Sequence, residues 1–71
     1  MIQIHVGDKF KAQEGNEKIP FGDCILTVIE VYDDLDKGTI NERYKIHASN
    51  GETDNVRNPW LTGYFEKIDA T

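Results

Sequence analysis

The side chains of this 71-residue chain that could carry chemistry are few: His5, His47, Cys24, Ser49 and the acidic run Asp33, Asp34 and Asp36. A calcium loop of the EF-hand type needs oxygen ligands at its first, third and fifth positions and Glu at the twelfth. Counted from Asp34, the fifth position is Gly38 and the twelfth is Lys45; counted from Asp33, the third is Leu35. Neither frame makes the loop, so the acidic run reads as a solvated turn that keeps the surface charged. Zinc sites place their ligands a few residues apart. His5, Cys24 and His47 are spread along the chain, so no metal and no cofactor is expected.

Nucleophilic catalysis fares no better. Ser49 is the sole serine, sits before Asn50-Gly51, and lacks the glycine setting of a nucleophile elbow. Cys24 opens an apolar run and reads as a small core residue. The glycines at 15, 22, 38, 51 and 63 are dispersed, so no phosphate-cradling loop is present. A chain this short offers little concavity to desolvate a catalytic carboxylate. The expectation is a protein that is not an enzyme.

The elements that must position these residues are read from periodicity. Ile2, Ile4 and Val6 alternate with Gln3 and His5, and Phe10 and Ala12 alternate with lysines, predicting a first strand kinked at Gly7. Residues 14–22 collect Gly, Asn, Pro and charge and form a loop. Its Ile19 and Phe21 are expected to fold back on the core. Residues 23–32 are rich in β-branched side chains with apolar groups on both faces, which predicts a bent central strand buried on both sides. A polar loop follows at 33–38. Residues 42–49 and 52–57 flank Asn50-Gly51, the sequence of a two-residue type I′ hairpin. Asn58-Pro59-Trp60-Leu61-Thr62 predicts one 3₁₀ turn ended by Gly63, and 64–68 a last strand.

Composition narrows the task. The chain is 38% apolar and 30% charged, the balance of a soluble globular fold, and its length makes one domain over 1–71. The formal net charge is −5, a sign opposed to phosphate-backbone binding as the main task. Residues 20–40 hold five acids and one base, a local balance of −4, and the rest sums to −1. One cysteine permits no internal disulfide. With no secretory h-region and no apolar run of about 20 residues, a cytoplasmic protein outside the membrane is expected.

The order of strand, long loop, two strands around a charged loop, Asn-Gly hairpin, helical turn and short final strand resembles the SH3-like small β-barrel. Gly7-Asp8-Lys9-Phe10 looks like the entry of its first strand, and Asn58 to Glu66 like its helical turn and last strand. The resemblance implies an all-β barrel of five to six strands. It also implies a groove lined by Phe21, Tyr32, Trp60 and Tyr64, with Asp33, Asp34 and Asp36 at its rim. The Ala-Leu-Tyr-x-Tyr run of peptide-binding SH3 domains is missing, so proline-rich ligands are not implied. In style the chain is also similar to short phage and prophage proteins.

Aromatic anchors inside an acidic rim suit a basic protein surface. The leading expectation is therefore a non-catalytic protein-binding module, as a monomer or a weak homodimer pairing through the open edge of the 24–32 strand. The alternative is a nucleic-acid-binding barrel in which Lys9, Lys11, Lys18, Arg43, Lys45 and Arg57 gather on one face. An acidic mimic that blocks a nucleic-acid-binding protein is its variant.

Overall fold

The structure is a computed structural model that describes residues 4–32 and 42–68. It is predominantly β. Five antiparallel strands, β1 (Lys9–Ala12), β2 (Leu26–Val31), β3 (Arg43–Ala48), β4 (Thr53–Arg57) and β5 (Phe65–Ile68), form one sheet in the order β4-β3-β2-β1-β5. A short helix, α1 (Asn58–Tyr64), joins the two edge strands β4 and β5.

The core follows from period-two alternation. Phe10, Leu26, Val28, Tyr44, Ile46, Ala48 and Val56 lie on the inner face, with Leu61 from α1 and Phe65 from β5 packed among them. Cross-strand register puts Phe10 opposite Leu26, Leu26 opposite Ala48, Val28 opposite Ile46 and Tyr44 opposite Val56, so each row buries apolar pairs. Ile4 and Cys24 complete this cluster, and Ile19 and Phe21 of the long loop pack against it as expected.

Several expectations are corrected. Residues 4–6 form no strand; Asp8 accepts from the His5 backbone N–H at 2.7 Å, a local turn forms, and Val6 is 62% exposed. The 24–32 segment is not buried on both sides, since Ile25 and Ile29 are both exposed. Its register shifts between Val28 and Glu30, so the bulge changes which parity faces inward. The shift accounts for Ile29 and Val31 in the apparent two-faced apolar pattern, whereas Ile25 lies ahead of it and is an exposed apolar residue. Nor does β2 form an edge: β1 and β3 flank it, and the sheet edges are β4 and β5.

The Asn-Gly hairpin is present without the type I′ turn. The Gly51 N–H donates to the Ala48 carbonyl at 2.9 Å, and the Ala48 N–H to the Glu52 carbonyl at 2.7 Å, enclosing three residues. Gly51 has φ 95° whereas Asn50 is not in the positive region, the arrangement of a type I turn with a glycine bulge.

The expected 3₁₀ turn is an α-helix running through Gly63 to Tyr64. Pro59 sits in its first turn, where the missing N–H costs nothing. The Thr62 hydroxyl donates to the Asn58 carbonyl at 2.8 Å, and the Phe65 N–H to Leu61 closes the last turn. Phe65 then turns extended and buries its ring, which stops the helix there and not at Gly63.

Candidate functional site

Between the long loop, β4 and α1 lies a groove of about 310 Å³ lined by Pro20, Phe21, Asp54, Asn55, Val56, Arg57 and Trp60. Three separated stretches of sequence converge on it. Phe21 comes from the loop and Trp60 from the first half of the helix, and edge strand β4 supplies the remaining wall.

Phe21 has φ 63°, and it is the only non-glycine residue with positive φ among those described. A bulky residue in the left-handed region persists only when its surroundings fix it. The loop does so with a chain of short turns. The Ile19 N–H donates to Asn16, Gly22 to Ile19 and Cys24 to Phe21, at 3.3, 2.8 and 3.0 Å. Gly22 follows Phe21 where a Cβ would stand 2.5 Å from the Asn16 carbonyl oxygen. The loop is thus folded tightly enough to hold a strained aromatic at the groove wall.

Trp60 is fixed by aromatic contact. Its ring lies 5.1 Å from the Phe65 ring and 6.1 Å from the Tyr64 ring, both tilted. Phe65 is in the core, whereas Tyr64 is 44% exposed and extends the aromatic surface beyond the groove. Upstream, the buried Asn58 carries the helix. Its Nδ2 donates to the Tyr44 hydroxyl at 2.8 Å, and its backbone N–H to the Glu42 carbonyl at 2.8 Å. Burial pushes the Tyr44 hydroxyl from 10.0 up to about 12; the Asn58 hydrogen bond opposes the rise, and the adjoining Glu42 carboxylate adds to it.

Tyr32 does not line the groove, yet it braces its wall. Its hydroxyl donates to Asn55 Oδ1 at 2.6 Å, and the Arg43 guanidinium lies 5.7 Å from the centre of its ring. Of the aromatics implied for the site, Phe21 and Trp60 line the same groove, Tyr64 flanks Trp60, and Tyr32 is joined through Asn55. Asp33, Asp34 and Asp36 lie outside the described residues. Sequence reasoning missed Asp54 and Asn55 and named Arg57 only for the nucleic-acid alternative, because the Asn-Gly hairpin fixed where β4 runs and not that it would be a sheet edge beside Phe21.

The groove wall mixes charge: one carboxylate, Asp54, and one guanidinium, Arg57. Ile46 stands opposite Asp54, so this carboxylate belongs to the inner parity of β4, exposed where the edge strand outruns the core. Cys24 is buried, and His5 and His47 are exposed on separate segments. Among the described residues no group of three or more His, Cys, Asp or Glu could hold a metal ion, and no helix is long and apolar enough to cross a membrane. Comparison with protein-family models, with curated proteins and with solved structures finds no match to this chain.

Proposed function

We propose that this chain is a non-catalytic protein-binding module of the SH3-like small-barrel kind, which takes a short extended segment of a protein partner into the Phe21–Trp60 groove. The observation that carries the reading is the convergence of a strained loop aromatic and a helix aromatic on one concave surface beside a sheet edge. The strand order, with a helix joining the two edge strands, supports a sheet curled toward closure. The partner segment presents an apolar side chain to Phe21, Val56 and Trp60 and a basic one to Asp54. Peptide capture in such a site rests on pockets for alternate side chains, not on bulk area.

Selection of random twelve-residue peptides displayed on phage, run in parallel on wild type and Trp60→Ala, tests this. The reading expects wild type to enrich peptides with a Lys or Arg next to a large apolar residue, and Trp60→Ala, with its fold checked by circular dichroism, to lose them. Enrichment of the same peptides by both proteins, or of none by wild type, contradicts it.

A further inference from the structure

The chain holds five asparagines, and the residue after each decides what its side-chain amide can do. The next backbone nitrogen can attack the asparagine Cγ only if it carries a hydrogen and is not crowded. Pro59 follows Asn58 and has no N–H, and Val56, after Asn55, is β-branched and buried. Glu17 follows Asn16, and Glu42 follows Asn41. Asn50 alone precedes a glycine, and both residues are exposed at the tip of the β3–β4 hairpin. A Cβ on Gly51 would meet nothing within 4 Å, so open space lies beside its Cα.

The turn also prepares the amide. The Glu52 N–H donates to Asn50 Oδ1 at 3.0 Å, and Asn50 Nδ2 donates to Glu52 Oε2 at 3.0 Å. The first bond draws charge from Cγ and meets the negative oxygen that forms when Cγ is attacked, as the donors of an oxyanion hole do. The second holds the amide so that its oxygen, and not its nitrogen, faces that donor. One bond opposes the reaction: the Gly51 N–H donates to the Ala48 carbonyl at 2.9 Å. It must break before the nitrogen attacks, and an exposed hairpin tip opens at far lower cost than the core.

We infer that Asn50 is a site of self-modification, at which the amide is lost through a succinimide and replaced by isoaspartate or aspartate. The Gly51 nitrogen bonds to Cγ of Asn50 and gives up its proton to water. The Cγ–Nδ2 bond breaks, and Nδ2 leaves as ammonia with a proton returned from water. One water then opens the ring, and no step oxidises or reduces anything. Opening at the Asn50 backbone carbonyl leaves the chain running through Cγ; opening at Cγ restores the ordinary backbone with an aspartate side chain. Both products harm the hairpin. Isoaspartate lengthens the backbone by one carbon, about 1.5 Å, between strands whose register is fixed pair by pair. Aspartate replaces the donor to the Glu52 carboxylate with a second carboxylate, and like charges so placed repel. The inference stands apart from the peptide groove, which neither Asn50 nor Gly51 lines.

Ageing of the full chain in mildly alkaline buffer at physiological temperature, followed by anion exchange and tandem mass spectrometry, tests it. Wild type should accumulate a species one negative charge richer, with ammonia exchanged for water at Asn50. Enzymatic methylation of isoaspartyl carboxyls should label part of that species and none of the fresh protein. Asn50→Gln, whose ring closure requires a larger imide, should form no such species over the same period, and urea unfolding establishes that this variant is folded. The purified aged species should unfold at a lower urea midpoint than fresh wild type. The inference is overturned if no acidic species forms or if the change maps to another asparagine. It is equally overturned if folded Asn50→Gln ages as wild type does, or if the aged species keeps the wild-type midpoint.

Discussion

Asn58 Nδ2 donates to the Tyr44 hydroxyl at 2.8 Å, fastening the first residue of α1 to strand β3 two positions before Trp60 enters the groove. Tyr44→Phe removes that acceptor and leaves a buried amide unpaired. The expected cost is about 1–3 kcal/mol. In a domain of this size each kcal/mol lowers Tm by about 4–8 °C. Urea unfolding of wild type and Tyr44→Phe measures it, and equal midpoints would show that the bond does not hold the helix.

The same hydroxyl makes stability depend on alkaline pH. Its proton is held up to about 12 in the folded protein, mainly by burial, against 10.0 for an unperturbed tyrosine. The unfolded chain therefore releases this proton first as pH rises. The contribution is complete below pH 10 and is lost as pH climbs toward 12. Urea midpoints from pH 8 to 11.5 should show wild type losing part of its advantage over Tyr44→Phe above pH 10. A constant difference would contradict the burial of the hydroxyl.

Two glycines separate crowding from backbone strain. A Cβ on Gly22 would meet the carbonyl oxygens of Asn16 and Glu17 at 2.5 and 2.6 Å, and backbone there cannot give way cheaply. A Cβ on Gly51 would meet nothing within 4 Å but would sit at φ 95°. Gly51→Ala should therefore cost about 1–2 kcal/mol through backbone conformation alone. Gly22→Ala should cost about 1–3 kcal/mol and also displace Phe21. Thermal unfolding measures the first effect. The second adds a shift of Trp60 emission that Gly51→Ala does not produce.

Edge strand β4 carries a guard against pairing with another chain. Alternation from the Ala48–Glu52 pair points the backbone groups of Thr53, Asn55 and Arg57 outward, and the Asn55 N–H is occupied by the Asp54 carboxylate at 2.8 Å. Exposed edges are commonly blunted by charge in this way. Asp54→Ala frees the N–H and removes the charge, so sedimentation velocity should show more self-association than wild type. Identical sedimentation of the two would assign the guard to another feature.

Much of the fold was legible in the sequence because alternation is strong where one face is buried. Tyr44, Ile46 and Ala48 against Arg43, Lys45 and His47 fixed the parity of β3, and Asn50-Gly51 fixed the hairpin. Legibility failed where a local feature broke the period. The bulge after Val28 helped one strand look apolar on both faces, and a buried asparagine at its start with Leu61 and Phe65 in the core held a helix longer than Pro59 and Gly63 suggested. Phe21 and Trp60 were visible as candidates by type. That they would line one groove with Asp54 and Asn55 depends on which strand ends the sheet, a non-local property that no short window contains.

Trp60 is the sole tryptophan of the chain and lines the groove, so its fluorescence reports occupancy of the proposed site directly. Titration of wild type and Asp54→Asn with a Lys/Arg-plus-apolar peptide from the phage selection is the decisive measurement. The account predicts a saturable blue shift in wild type and at least fivefold weaker binding by Asp54→Asn. Saturable binding by anisotropy that leaves Trp60 emission unchanged, or equal affinity of the two proteins, would contradict it.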